Sequence, residues 1–124
     1  MRRGVLLLAH GARDPAWAGP FEAVADRVRE GASRPAVELA FLEFMAPDFA
    51  TAGARLAAAG CGRVDVVPLF LGAGGHVRKD VPVQVEALRT AHPGVDWRLH
   101  PAVGEDAAVI DAMAAVVGAR ADAP

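Results

Sequence analysis

Three side chains that can bind metals or move protons follow predicted strands of this sequence. His10 comes directly after the first strand, Glu43 closes the second, and His76 lies in a glycine-rich segment after the third. In parallel sheets the carboxyl ends of the strands share one edge, and ligands bind in the crevice outside it. We therefore expect the two imidazoles and the carboxylate to lie close together at that edge.

Two imidazoles and a carboxylate suit two kinds of chemistry. They match the ligands that Fe²⁺, Co²⁺, Ni²⁺ and Zn²⁺ accept, and histidine also serves acid–base catalysis because it titrates near neutral pH. His100 ends the fourth predicted strand at the same edge and has no assigned role, whereas His92 is assigned to a helix-end turn. The spacing of these residues does not choose between a metal site and a phosphate site.

Glycines and positive charges accompany the candidate site. Gly74 and Gly75 would let a bulky, flat ligand approach the backbone closely, although glycines also serve simply to make a turn. Arg13, Arg78 and Lys79 are candidates to receive carboxylates or phosphates, or are ordinary solvated charges.

The sequence contains few residues for covalent catalysis. It has no Tyr and no Asn, one Ser, two Thr and one Lys, so any chemistry rests on His, Asp, Glu or Arg. The single cysteine, Cys61, excludes a disulfide or a cysteine-based metal site within one chain. It precedes the third predicted strand, at the opposite edge from the histidines, which argues against Cys61 as a nucleophile.

Alternating apolar runs and helical stripes predict the elements that position these residues. Four short apolar runs predict strands at residues 4–9, 37–44, 64–70 and 95–99. Strand–helix alternation with short connections predicts an α/β fold, a three-layer αβα sandwich around a mainly parallel four-stranded sheet. We expect a single domain over residues 1–124.

The helices are predicted from the spacing of apolar residues and from Pro, Gly and Asp at the expected helix ends. The first begins near Pro20 and turns Phe21, Val24, Ala25 and Val28 to the core. The second begins at Pro47 and ends at Gly60, and the third is capped by Asp80. A last helix carries the stripe Val109, Met113, Val116 and Val117, and the tail at 118–124 is expected to fray.

Composition and charge argue against two classes of binding partner, nucleic acids and membranes. The chain has 124 residues, 53% hydrophobic, and a net charge of −2, without the basic excess that a nucleic-acid binder needs. The longest apolar runs are far shorter than a membrane span of roughly 20 residues. The apolar segment after Arg2 and Arg3 is too short for a secretory signal, so we expect a cytoplasmic protein without nucleic-acid or membrane partners.

Three segments together resemble the CbiX/SirB family of class II tetrapyrrole chelatases. They are LLLAHGARDP at 6–15, FLEFMAPDF at 41–49 and VVPLFLGAGGHVRKDVP at 66–82. These enzymes insert cobalt or ferrous iron into sirohydrochlorin on the routes to cobalamin or sirohaem. The resemblance implies that His10 and His76 bind the metal or handle protons and that Glu43 is the accompanying acid. The hydroxyl usual after His-Gly in the family is replaced here by Ala12.

The resemblance also implies partners. Many relatives are about twice as long, with two similar halves around one cleft, and this chain matches one half, like the short form called CbiXS. A homodimer is expected, because one small domain offers a wide macrocycle an open edge but no enclosing cleft. The divalent metal, Co²⁺ or Fe²⁺, would be a substrate, and no organic cofactor is implied.

Two other functions remain open at this point. A non-catalytic carrier of metal or tetrapyrrole would need similar ligands at the same edge. The start of the sequence is also similar to histidine phosphatases, but Ala9 stands where those enzymes place an arginine beside the nucleophilic histidine. Metal insertion is the favoured interpretation.

Overall fold

A four-stranded, all-parallel sheet forms the centre of the computed structural model, which describes residues 2–72 and 74–124. Its strands in chain order are β1 (Arg2–Ala9), β2 (Ala36–Phe41), β3 (Cys61–Pro68) and β4 (Asp96–Leu99). The spatial order is β2-β1-β3-β4. The chain leaves β1 for β2 on one side and later returns to β3 on the other, so the ends of β1 and β3 flank a topological switch point.

Among the residues that the structure describes, four helices accompany the sheet. They are α1 (Gly19–Arg29), α2 (Phe49–Ala58), α3 (Gly75–Ala91) and α4 (Ala107–Ala121), with short 3₁₀ turns at Pro15–Ala18 and Val103–Glu105. The α/β class and the parallel sheet predicted from the sequence are confirmed. No helix within the described part of the chain is both long and apolar enough to span a membrane.

Helices α2 and α3 cover one face of the sheet completely. Leu6 and Val66 from the strands pack there with Leu56 of α2 and Val85 of α3, all at most 2% exposed. Trp97 of β4 is buried in the same cluster. This face carries the larger core and fixes the position of α3.

The opposite face is covered mainly by α1. Leu7 and Val37 pack there against Ala25. Val24, expected to face the core, is exposed instead, because the helix presents only a narrow stripe to the sheet. The predicted apolar stripe of α4 does not reach the sheet either, since the helix has no buried residue.

Several helix and strand boundaries differ from the predicted ones. The second strand ends at Phe41, because the chain turns back after it and the Phe41 backbone N–H donates a hydrogen bond to the Pro47 carbonyl oxygen. Asp80 lies inside α3, which begins at Gly75, so it does not cap the helix. Cys61 is the first residue of β3, and α4 continues past Gly118 to Ala121, so most of the expected frayed tail is helical.

Candidate functional site

His10 is held in place from two sides at the end of β1. Its half-buried ring stacks on Phe70, with ring centroids 4.4 Å apart and planes inclined by 30°. The indole N–H of Trp17 donates a hydrogen bond to the His10 carbonyl. Phe70 is itself buried in the larger core, so the imidazole rests on a rigid support.

Glu43 lies two residues beyond the end of β2, in a tight turn. Phe44 has a φ of +66°, and the N–H of Met45 donates to the Glu43 carbonyl at 2.8 Å. Gly11 fits directly against this turn, since a Cβ at position 11 would lie 1.5 Å from the Glu43 carbonyl oxygen. This close approach joins the loops that follow β1 and β2, so it sets Glu43 relative to His10.

His76 occupies the first turn of α3. The sequence suggested a glycine-rich loop there, but Gly74 is the N-cap residue and the helix has already begun at Gly75. Arg78 and Lys79 therefore also lie on a helix. The His76 side chain is exposed at the edge of the sheet, one helical turn before Asp80.

One cavity of about 290 Å³ brings the three predicted residues together. Its lining consists of His10, Leu42, Glu43, His76, Val77, Asp80, Val81 and Gln84. The cavity opens at the carboxyl edge, beside the switch point. The prediction that these side chains share one edge therefore agrees with the geometry.

These residues share a cavity without forming a closed ligand shell. Within residues 2–72 and 74–124, no group of three His, Cys, Asp or Glu side chains is close enough to hold a metal ion. Glu43 and His76 are exposed, and exposed side chains change rotamer within nanoseconds. Convergence on a metal therefore requires side-chain rotation around the supported His10.

Asp80 and Gln84 are cavity residues that the sequence analysis missed. Asp80 was interpreted as a helix cap, which hid its spacing from His76. With the helix starting at Gly75, His76, Asp80 and Gln84 stand at i, i+4 and i+8 and share one helix face. That spacing was the available signal.

The predicted cationic residues lie in different surroundings. The Arg13 guanidinium lies 5.1 Å from the centroid of the Phe44 ring, beside Glu43. Arg78 lines a second, smaller cavity together with His100 and Glu105. Lys79 is exposed on α3. Arg78 and Lys79 thus lie on α3 between lining residues of the first cavity, and Arg13 lies against the loop that carries Glu43.

The two predicted glycines face open space. A Cβ at Gly74 or Gly75 would meet nothing within 4 Å, and neither residue has a positive φ. Packing and backbone strain therefore do not explain glycine at these positions, and an external ligand has free access to the backbone.

His100 makes a pair that does not involve the cavity around His10. Its Nε2 hydrogen-bonds to the Asp65 carboxylate at 2.8 Å, and Arg63 bonds the same oxygen at 3.2 Å. Burial alone would raise the pKa of Asp65, but the hydrogen bonds from His100 and Arg63 outweigh it and lower the pKa. His100 is thus a partner of a strand carboxylate.

Cys61 is remote from the site, as predicted. It pairs with Arg2 at the amino ends of the strands and is buried. Burial raises the pKa of its thiol, more than the charge of Arg2 lowers it, so the reactive thiolate is disfavoured.

Comparison with known proteins gives consistent matches. The model of the CbiX family matches residues 4–119. A protein from Sulfurisphaera tokodaii named sirohydrochlorin cobaltochelatase is 35% identical over 102 residues, which are 77% of this chain and 83% of the relative.

Two solved structures share the fold. A CbiX protein of cobalamin (vitamin B12) biosynthesis from Marinobacter aquaeolei VT8 superimposes with a TM-score of 0.83 and 36% identity, covering 97% of this chain and 98% of the other. SirB from Bacillus subtilis with Fe³⁺ superimposes with a TM-score of 0.78 and 26% identity. That match covers 90% of this chain but only 44% of SirB.

Proposed function

This chain belongs to the CbiX family, and we propose on that basis that it is a chelatase that inserts Co²⁺ or Fe²⁺ into sirohydrochlorin. The observation that carries the proposal is the single cavity that His10, Glu43 and His76 line at the carboxyl edge of the sheet. The relatives support it, since one is named sirohydrochlorin cobaltochelatase and another, SirB, was solved with Fe³⁺.

His10 and His76 hold the metal ion in this proposal. Neutral imidazole is a good ligand for Co²⁺ and Fe²⁺. His10 is the fixed partner, because Phe70 and Trp17 restrain it, while the exposed His76 is free to rotate toward the ion. A labile second ligand suits a metal that must be transferred and not retained.

Glu43 and Asp80 handle the protons. Metal insertion forms bonds from the metal to the macrocycle nitrogens and releases two pyrrole N–H protons, which need acceptors. Glu43 accepts protons on one side of the cavity, and Asp80, a turn beyond His76, accepts them on the other. The step requires no oxidant and no organic cofactor.

The surroundings of the cavity suit a flat, apolar ligand with carboxylate arms. Phe44 and Leu71 are large apolar side chains that are 60% and 65% exposed on the loops after β2 and β3. Arg13 beside Phe44 binds a peripheral carboxylate, and Gly74 and Gly75 let the ring approach the backbone. Arg78 and Lys79 on α3 receive further carboxylates.

A homodimer completes the cleft. The cavity of about 290 Å³ lies at the low end of the range for ligand pockets and is open, so one chain cannot bury most of a tetrapyrrole. Two copies related by a twofold axis place a second edge over the first.

The test is anaerobic metal insertion followed by the visible spectrum of sirohydrochlorin, with Co²⁺ and Fe²⁺ in separate reactions. Replacement of His10 or His76 by alanine is expected to lower the rate by at least about 100-fold. His92→Ala is the matched control, because His92 ends α3 far along the helix from the cavity, and it should keep the wild-type rate.

The outcomes separate the possible functions. If both site variants retain the wild-type rate, the assignment of the site is wrong. If the protein binds the metallated product tightly but does not accelerate its formation, it is a carrier. Comparison of the two metals under equal conditions identifies the preferred one.

A further inference from the structure

The loop after β3 carries the aromatic ring that supports His10. Phe70 is only 3% exposed, and its ring stacks on the His10 imidazole with centroids 4.4 Å apart. It lies two residues beyond the end of β3 at Pro68, so its place depends on the contacts that the loop makes. Whatever fixes this loop therefore also bears on His10.

Two backbone hydrogen bonds fasten the loop. On the side of β1, the N–H of Leu69 donates to the Leu8 carbonyl at 2.7 Å. From the segment after β4, the N–H of Gly104 donates to the Phe70 carbonyl at 2.9 Å. Gly104 belongs to the 3₁₀ turn Val103–Glu105, which leads into α4. The backbone of Phe70 is thus tied to a segment that is distant in the sequence.

Gly104 also touches this loop too closely for any other residue. A Cβ at position 104 would lie 1.9 Å from the Leu71 carbonyl oxygen and 2.3 Å from the carbonyl carbon. The φ of Gly104 is not positive, so the close approach requires glycine there and the backbone conformation does not. A side chain at this position would push the turn and the loop apart.

The ring of Phe70 has room to shift if the loop moves. It lines the second cavity, of about 140 Å³, together with Val77 and Val81 of α3 and Ala102 before the 3₁₀ turn. Close packing on all sides normally holds a core ring in one place. Because this ring adjoins open space, its position depends on the backbone contacts of its loop.

From these contacts we propose that Gly104 is a positioning residue for His10 and acts through Phe70. Gly104 holds the loop, the loop holds the ring, and the ring orients the imidazole. The inference rests on the proposed function in taking His10 as a metal ligand. Gly104 lies outside the three segments of the family resemblance, which is why the sequence analysis did not single it out.

The first test needs no metal. The chain has four histidines, so the ring protons of His10 can be assigned in a proton NMR spectrum by their loss in His10→Ala. Stacking on Phe70 shifts these signals upfield through the ring current. Gly104→Ala should move them toward the position of an unstacked histidine. Phe70→Leu, which keeps an apolar side chain but removes the ring, should move them in the same direction.

The second test measures the dissociation constant of Co²⁺ in the metal-free full chain. Changes to groups that orient a metal-binding histidine typically weaken metal binding by about 10- to 100-fold. We expect about a 10-fold increase for Gly104→Ala and for Phe70→Leu. If Gly104 acts through Phe70, the double variant should also stay near about 10-fold, well below the product of about 100-fold for independent sites.

Two control variants separate positioning from general destabilisation. Gly94 precedes β4 with open space around it, so Gly94→Ala should change neither the His10 signals nor Co²⁺ binding. Val37→Ala weakens the core on the opposite face of the sheet, to which Phe70 does not belong. It should lower the urea midpoint and leave both readouts at His10 unchanged.

Three results overturn the inference. They are unchanged His10 signals in Gly104→Ala, a double variant whose loss of affinity equals the product of the single losses, and an equal shift of the signals in Val37→Ala. A wild-type chain that binds no Co²⁺ would refute the proposed function, while the NMR test in the metal-free protein would still decide the positioning.

If Gly104→Ala fails to fold, amide exchange of the wild-type chain replaces it. The amides of Leu69 and Gly104 close the same loop, so they should exchange with the same opening free energy. A Gly104 amide that exchanges as fast as an exposed one would show that the turn does not hold Phe70, and would overturn the inference.

Discussion

The two faces of the sheet differ in how far one chain completes them. On the first face, α2 and α3 close a core in which Leu6, Leu56 and Val85 are essentially inaccessible. On the second, α1 covers β1 and β2, while β3 presents half-buried residues and α4 stays apart. The closed face carries Phe70 and α3, which support two of the three site residues, His10 and His76.

The difference separates the parts of the molecule that one chain buries from the part that it leaves exposed. A buried core stabilises its own chain whatever the protein concentration, so the support under His10 is intrinsic. An apolar helix with no buried residue gains its stabilisation only from something that covers it. The support under His10 is therefore built within each chain, while the proposed enclosure of a ligand would draw on a second copy.

The largest expected effect concerns the closed face. Leu56→Ala should lower the free energy of unfolding by about 2–5 kcal/mol, because it leaves a cavity under α2. Urea denaturation followed by circular dichroism measures this loss. The loss should be the same at low and high protein concentration, because Leu56 packs only against its own chain.

Val116→Ala on α4 provides the contrast, since Val116 is half exposed and no residue of α4 is buried. Its loss should be under about 1 kcal/mol. Equal losses for the two variants would contradict the distinction between the faces.

The next prediction tests whether the loops after β1 and β2 are positioned as one unit. Gly11→Ala places a Cβ within 1.5 Å of the Glu43 carbonyl oxygen, so the Glu43 turn must move away from His10. Displacements of about 1 Å at a reacting centre can lower rates by about 100-fold. Steady-state metal insertion should show a loss of that size in kcat.

Gly19→Ala is the control for this substitution. Gly19 begins α1 with open space around it, so alanine there should leave kcat unchanged and should not destabilise the protein. A Gly11→Ala protein with the wild-type kcat would show that the position of Glu43 does not matter to the reaction.

A smaller effect is expected at Asp80, the cavity residue on the closed-face helix. Asp80→Asn removes a proton acceptor but keeps the shape of the side chain, so kcat should fall about 10-fold with little change in KM. Glu86→Gln, on the same helix and outside the lining of the cavity, is the control and should have no effect. A change in KM alone would assign Asp80 to substrate binding.

The sequence predicted the closed face better than the open one, for a physical reason. Apolar runs and helical stripes indicate which residues are shielded from water, and Leu56 and Val85 are shielded by their own chain. The stripe of Met113 and Val117 carries the same signal, yet it does not specify whether the cover comes from the same chain or another. Periodicity predicts an apolar surface but not its partner.

The sequence predicted that three candidate residues meet at one edge of the sheet, but not how they are arranged there. His10, Glu43 and His76 were expected at one edge, and one cavity does bring them together. Their exact placement depended on backbone hydrogen bonds that residue types do not reveal. The apolar run continues to Phe44, although the ladder stops at Phe41.

Glycine signals explain the other error at the site. The glycines before His76 suggested a loop, although Gly74 caps a helix. Because the helix was predicted to begin at Asp80, the prediction did not place Asp80 and His76 on one helix face.

The smallest expected effect lies on the open face and concerns pH. Asp65 has a lowered pKa in the folded chain, because hydrogen bonds from His100 and Arg63 outweigh its partial burial, and Arg98 on β4 is its lateral neighbour. A carboxylate whose pKa is lower when folded stabilises the protein above its unfolded pKa of about 3.9. That stabilisation is lost as the pH falls through the folded value. Asp65→Asn should therefore reduce stability at neutral pH and make the free energy of unfolding depend less on pH below about pH 4.

Urea denaturation at several pH values measures this slope, with Asp26→Asn as the control. Asp26 makes only an exposed i,i+3 pair with Arg29, and such pairs contribute about 0–1 kcal/mol. An Asp65→Asn protein with the wild-type slope would show that the His100 pair does not persist in solution.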